Sequence, residues 1–568
     1  MLAIHFLQRK ARELPVSTLF LLERTMRQAA GGRRFERLLP SIPLWLQLLG
    51  VLLLTWLLCE PRFPRAGSVQ RVAVVMDSSA SMAVFRNTAI ERLRNLLPVI
   101  QSEAEALELT VIESLPDRPR LYTGRSVEEL ATALQKWNPM AGPVDPAEAL
   151  RLARSLVSTE GTVLYVTDTP PTLALPYGAS TLALGKPIEN TGFTGVSFAE
   201  VEGRTVWRAM VRHYGSKTRR KSWRVVTEDG ATEPRPLTLE PGSLTSLQGA
   251  FPENARRFRL VLEADEFPID DVLPLVPPAP KALLVSANSE PRFTELRKRL
   301  LRSLESVSET NDAATADLRL VSSTAADLDF LQGNALVFSP PAKPSAKWRS
   351  GTTVTEAHPL VAGLNWQSLI TREAALFNLT KTDTVLLRVG EVPLIALRNS
   401  AAGLQLVCNF DPAESNVLTQ PSFIVLLHRF AERIRAEKIA PVSLNLEAGE
   451  PIALAHDPSA PLSVSAMSPA GQALPIPAGK LPSFAPSLPG YLRVSQGEKI
   501  LLNAAVHFGD PREADFRACA AAEPDFDANA VTDRLTKPDP MWRLWLILLG
   551  TAALASWWFV RPRDAVTA

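Results

Sequence analysis

The chain has 568 residues, 46 % of them hydrophobic and 21 % charged, which is material for three to four domains at about 150 residues each. Its 28 Gly and 47 Pro stay well below the roughly 25–30 % of a low-complexity chain, and 61 basic against 59 acidic residues leave a net charge of +2, which offers nucleic acid no global field. Three cysteines, Cys59, Cys408 and Cys519, exclude a disulfide scaffold and show no CxxC-type metal spacing.

A mean hydropathy of +0.04 is high for a chain with so many charges and points to apolar residues pooled in membrane segments. Residues 42–59, IPLWLQLLGVLLLTWLLC, carry no charge and come near the ~20 residues that cross a hydrocarbon core. Residues 541–560, MWRLWLILLGTAALASWWFV, carry only Arg543, and Trp542, Trp545, Trp557 and Trp558 lie near the two ends as an interfacial belt does. Upstream of the first segment stand Arg9, Lys10, Arg12, Arg24, Arg27, Arg33, Arg34 and Arg37, and Arg561 and Arg563 follow the second. The positive-inside rule therefore predicts that residues 1–41 and 561–568 are cytoplasmic and that residues 60–540 lie outside an inner membrane, in the periplasm. Residues 1–7, MLAIHFL, read like the last turns of an apolar helix, so an earlier start with another membrane helix is expected.

Residues 71–76, RVAVVM, read as a strand buried on both faces. It ends in Asp77-Ser-Ser79-Ala-Ser81; a helix over residues 88–107 and a strand over residues 109–115 follow. Ser126 with Glu129, and Asp145-Pro146 with Glu148, mark two further helix starts by capping boxes. Residues 162–167, TVLYVT, form a second buried strand that ends at Asp168. Alternating strands and helices predict a parallel sheet, whose active groups gather at the strands' carboxyl ends, where Asp77, Ser79, Ser81 and Asp168 all fall. Carboxylates with hydroxyls are the ligand set of a hard cation such as Mg²⁺.

Here a resemblance becomes specific. Asp77-x-Ser79-x-Ser81 after one apolar strand, with Asp168 after another, is similar to the metal-ion-dependent adhesion site of von Willebrand factor A domains. That resemblance implies that Ser79 and Ser81 bind Mg²⁺ or another divalent cation directly. Asp77 and Asp168 would hold it partly through water, and an open position would accept a partner's carboxylate. Val144 stands where the family has a Thr and offers no oxygen; Asp145 beside it reads as a helix cap.

Residues 190–276 show short alternating runs and predict a β-sandwich, with His213 a solvated strand residue. Residues 280–440 return to α/β texture, with a helix over 292–304 and a long one over 421–437, and resemble the class I glutamine amidotransferase-like fold. Cys408 lies in an apolar strand without the elbow glycines of that fold's active members, so it reads as a core residue and the domain as inactive. Residues 441–525 form a second β module ending in LLNAAVHFGDPREADFRA, and Cys519 just after that stretch stands without a local partner.

The order of modules resembles the Bat (aerotolerance-related) membrane proteins of bacteria, on the basic stretch IHFLQRKAREL, the Asp77–Ser81 signature and DEFPIDD at residues 265–271. The fold class expected is thus multidomain α/β plus β: von Willebrand factor A-like over 66–189, β-sandwich over 190–276, amidotransferase-like over 280–440 and a β module over 441–525. The resemblance implies a non-catalytic, membrane-anchored scaffold. Its partners would be other envelope or membrane proteins, among them related Bat-type proteins and a MoxR-type AAA+ ATPase, together with membrane lipid and no nucleic acid. The other reading is a hydrolase or amidotransferase acting through residues 280–440, and a third is a purely structural protein.

Overall fold

The computed structural model describes residues 42–560, apart from residues 66, 102–103, 116, 159–160, 253–254, 288–292, 324–330, 341–346, 350, 401–402, 475–480 and 525–535. The expectations for residues 1–41 and 561–568 therefore lie outside the described residues. The architecture is mixed α/β, with six sheets strung along the chain.

The first large sheet carries the candidate site. Its strands run in the order Ala521–Ala522, Ala179–Leu184, Thr162–Thr167, Val69–Met76, Ala106–Glu113 and Tyr122–Gly124. The four central strands are parallel and the two edge strands antiparallel. The strand Val69–Met76 is buried on both faces because its neighbours put helices on both sides. Val72, Val74 and Met76 meet the helices Met82–Gln101 and Val127–Leu134, whereas Ala73 and Val75 meet the helix Ala147–Val157. Successive strand residues point to opposite faces, so one apolar run serves two cores.

The helix after Ser81 starts at Met82 and ends at Gln101, six residues before the expected span at each end. Met82 and Phe85 are already buried, and Leu107 belongs to the following strand, which covers Ala106–Glu113 rather than 109–115. Ser126 caps the helix Val127–Leu134 by accepting from the Glu129 N–H at 3.3 Å. Glu129 does not complete a capping box at that cap: its carboxylate accepts from the Tyr122 hydroxyl.

Residues 191–275 form a three-stranded and a four-stranded antiparallel sheet, which share a core of Phe193, Trp207, Trp223 and Phe258. His213 is fully buried here, not solvated: Nδ1 lies 2.7 Å from the Thr191 hydroxyl and Nε2 lies 2.8 Å from the Lys217 carbonyl. Its strand faces the core at that position, and both ring nitrogens have partners.

An eight-stranded sheet follows, with five parallel strands at one end and antiparallel pairings at the other. The helices Thr294–Ser303 and Pro421–Glu437 pack beside it. A five-stranded sheet then spans Val442–Glu447 to Lys499–His507.

Trp542–Val560 is long and apolar enough to cross a membrane; Ile42–Leu58 is a shorter apolar helix of 17 residues. The two pack together, Gly50 beside Leu549, with Leu52, Ile547 and Trp558 exposed on the outside. Where they leave the pair, Arg62–Pro64 joins Thr536–Pro538 in an antiparallel ribbon, and Asp539 accepts from the indoles of Trp56 and Trp545 at 3.2 and 2.8 Å.

Candidate functional site

Val69–Met76 is the first strand of the first large sheet in chain order; Ala106–Glu113 and Tyr122–Gly124 follow on one side of it, and Thr162–Thr167 and Ala179–Leu184 on the other. Such a reversal of strand order opens a crevice at the carboxyl ends of the two strands that flank it. Asp77 ends one of those strands and Asp168 the other. Although 91 positions separate them, both line one cavity of about 250 Å³ together with Ser79 and Ser81.

The loop after Asp77 is held from several sides. The Asp77 N–H donates to the Val166 carbonyl, and the Ser79 N–H donates to Asp77 Oδ1 at 3.0 Å. Asp77 Oδ2 accepts from the hydroxyls of Tyr165, 2.9 Å, and Thr167, 2.8 Å. Ser78 turns away and donates to Glu113, while Ser78 and Ala80 bond to both backbone groups of Ala141. That bridge brings the following loop to the cavity, where Pro143 and Val144 form part of the wall. Val144 puts methyls there and supplies no oxygen. Asp145 is exposed and accepts from the Ala147 N–H, but the helix Ala147–Val157 is capped by Pro146 without a side-chain bond, so the expected capping box is not formed there.

The hydroxyls of Ser79 and Ser81 are 3.2 Å apart, and that of Ser81 also bonds to the Asp168 carboxyl. Burial pushes the Asp168 carboxyl above its ordinary range; the bond from Ser81 opposes this and the charge of Asp77 adds to it. Gly185 lies under Asp168, where a Cβ would stand 1.9 Å from its carbonyl oxygen.

Two further groups at the site come from the far end of the chain. Glu513 is buried, and its Oε2 accepts from the Ser81 N–H at 3.0 Å. Burial pushes its carboxyl up to about 7, bonds from Ser81 oppose the shift, and Asp77 and Asp168 add to it. Cys519, which reads from the sequence as lacking a local partner, is buried against the site and accepts from Thr169 at 3.5 Å. Burial, with Asp168 beside it, pushes its thiol up to about 12. Neither residue carries a sequence signal of this placement, because Asp510-Pro-Arg-Glu513 has the spacing of a capping box and local pattern says nothing about partners 432 and 350 positions away.

Among the described residues no Lys or Arg forms an ion pair with Asp77, Asp168 or Glu513; Arg512 at the cavity wall is held by Asp510 at 2.8 Å. Buried carboxylates and hydroxyls around one cavity, with no basic side chain paired to them, fit a hard divalent cation such as Mg²⁺. The DEFPIDD acids differ. Asp265, Asp270 and Asp271 converge within 4.8 Å, but the Lys221 ammonium lies 2.7 Å from Asp265 and 3.3 Å from Asp271, so that cluster already contains its cation. Cys408 is fully buried in its strand, and burial holds its thiol far above the ordinary range.

A family model described as a domain of unknown function, DUF7407, matches residues 191–274. No curated protein sequence matches the chain. Among solved structures, the cytoplasmic protein STM3548 from Salmonella typhimurium is similar at 10 % identity and TM-score 0.20, over 27 % of this chain and 98 % of that protein. A Bacteroides uniformis beta-glucuronidase is similar at 10 % identity and TM-score 0.12, over 27 % of this chain and 24 % of the enzyme. The pilus adhesin SpaC from Lactobacillus rhamnosus GG, in its open conformation, is similar at 8 % identity and TM-score 0.16, over 78 % of this chain and 87 % of that one.

Proposed function

We propose that this chain is a membrane-anchored, non-catalytic binding protein of the bacterial envelope. Asp77, Ser79, Ser81 and Asp168 would hold a divalent cation and take up a carboxylate of a partner protein. The observation that carries this reading is the convergence of those four side chains at the strand-order reversal, with no basic residue among the described ones in an ion pair with the acids. A bound divalent cation supplies a concentrated positive charge and an open position for an anionic oxygen. The protein's share is to hold the donors still: Asp77 is fixed by three hydrogen bonds and the Ser79–Ser81 loop by Ala141.

In this reading residues 66–189 are a von Willebrand factor A-like domain, and residues 280–440 are an inactive amidotransferase-like domain. Cys408 supports the latter, since a thiol held protonated inside a strand is no nucleophile. The two apolar helices would anchor the chain in the inner membrane, with both ends cytoplasmic and residues 60–540 periplasmic. The ribbon at Arg62–Pro64 supports this, because it returns the chain to the place where it left the helix pair. Bat-type proteins and a MoxR-type ATPase are the partner classes this reading names.

Affinity capture tests it, using the full chain solubilised from membranes with Mg²⁺ or with EDTA. The expected result is a co-purifying envelope protein that EDTA releases and that Asp77→Ala fails to retain. Equal capture by Asp77→Ala, or in EDTA, overturns the reading.

A further inference from the structure

The four residues of the sequence motif leave one donor short, because Val144 in the cavity wall has no side-chain oxygen. The structure fills that side of the cavity from elsewhere. After the five-stranded sheet, residues 508–522 return to the first domain and are tied down along their length. Asp510 caps the single turn Pro511–Ala514 by accepting from the Arg512 N–H at 2.9 Å. The Ala514 carbonyl accepts from Asn190 at 2.9 Å. Phe516 is fully buried, its ring 5.2 Å from that of Phe267 and 6.1 Å from that of Phe85. The Ala520 N–H donates to the Asp168 carbonyl at 3.2 Å, and Ala521–Ala522 adds an edge strand beside Ala179–Leu184.

This docking carries Glu513 into the cavity. In a capping box, a Glu three residues after the cap reaches back to the cap's own N–H; Glu513 bonds instead to Ser81, through the backbone N–H and the hydroxyl. The same hydroxyl bonds to Asp168. A buried carboxylate with no basic partner costs several kcal/mol unless a cation or a proton reaches it.

We propose that Glu513 is a fifth side-chain ligand of the cation site, supplied in cis by residues 508–522 in place of the hydroxyl that Val144 lacks. The inference rests on the reading that Asp77, Ser79, Ser81 and Asp168 hold a divalent cation. Five side-chain ligands leave one position of a six-coordinate ion for the partner carboxylate, and an acid that acts through water shares its position with that water. Because the segment brings in a ligand, cation binding and segment docking stabilise each other by the same factor.

Mn²⁺ binding to the full chain in detergent, followed by electron paramagnetic resonance, tests the proposal. Glu513→Gln weakens Mn²⁺ binding by about tenfold or more, while the glutamine oxygen still accepts from the Ser81 N–H and keeps the segment folded. Adding Val144→Thr to Glu513→Gln restores most of the loss, since it returns a side-chain oxygen to the cavity wall. Hydrogen exchange gives a readout independent of affinity: Mg²⁺ slows exchange in residues 510–522 of the unmodified chain and not in Glu513→Gln. Unchanged Mn²⁺ affinity in Glu513→Gln, with binding abolished by Asp77→Ala, overturns the role of Glu513 and leaves the cation site standing. No Mn²⁺ binding by the unmodified chain, which then matches Asp77→Ala, overturns the cation site and this proposal together.

Discussion

Asp265, Asp270 and Asp271 around Lys221, and Asp77, Asp168 and Glu513 around Ser81, are two groups of acids buried to a similar depth, yet an ammonium sits inside only the first. They are neighbours: the Asn190 amide donates both to Asp270, at 2.8 Å, and to the carbonyl of Ala514, the residue after Glu513. The first group is local. Lys221 lies on Arg219–Val226, one strand away from Phe258–Leu262, and its acids flank the turn that follows that strand. The second is gathered from two adjacent strand ends and a segment over 340 positions further along. A buried carboxylate must be neutralised somehow. Where the chain supplies the counter-charge, the cluster is part of the fold; where it does not, an ion from solution has a place.

The largest effect that separates the two belongs to Lys221. Lys221→Met keeps the side chain's length and removes its charge, leaving Asp265 and Asp271 buried without their cation. The expected loss relative to the unmodified chain is about 3–5 kcal/mol, measured by denaturant unfolding in detergent, and it is the same with both proteins in Mg²⁺ as with both in EDTA. Recovery of that loss in Mg²⁺ shows that the first cluster also takes up ions and erases the contrast.

The divide between legible and illegible follows from range. Asp77, Ser79, Ser81 and Asp168 could be read because each stands at the end of an apolar run, and parallel strands present their ends on one side of a sheet. The strand Thr162–Thr167 and the helix Pro421–Glu437 were equally plain, one from an unbroken apolar run and the other from its amphipathic spacing. Glu513 was hidden, since its Asp-Pro-Arg-Glu setting is satisfied by a local cap. His213 was misread for a related reason: a polar residue in a strand looks solvated until the sheet that covers it is known. The early start of the helix at Met82 was missed because the serines before it suggest a loop, while Met82 and Phe85 already face the core.

His507 provides a reference for what burial does to a base. Burial pushes its imidazole down to about 4, against a bond to Leu446 that opposes the shift. Between about pH 6.5 and 4 the unfolded chain takes up a proton that the folded chain refuses, so stability falls as pH drops through that window, by on the order of 3 kcal/mol at its acid end. His507→Gln should flatten that part of the pH–stability curve. A curve of the same slope in the variant removes His507 as its source, since the buried carboxyls, held above their ordinary range, work in the opposite direction.

The smallest effect is the one whose sign decides between the clusters. Asp168→Asn removes one of the acids that repel each other around Ser81 and keeps an acceptor for the Ser81 hydroxyl. Without divalent ions, the variant should unfold at a slightly higher temperature, a gain of about 1 kcal/mol, because burial and Asp77 both work against the charged carboxyl. With Mg²⁺ at a hundred times its dissociation constant, the unmodified chain gains about 2.7 kcal/mol and the variant gains almost nothing, so the two melting curves change order. Lys221→Met shows neither the gain nor the reversal, because its cluster was neutralised when the chain folded. If Asp168→Asn lowers stability by the same amount in EDTA and in Mg²⁺, the acids around Ser81 are held by the fold alone, and the distinction between the clusters falls.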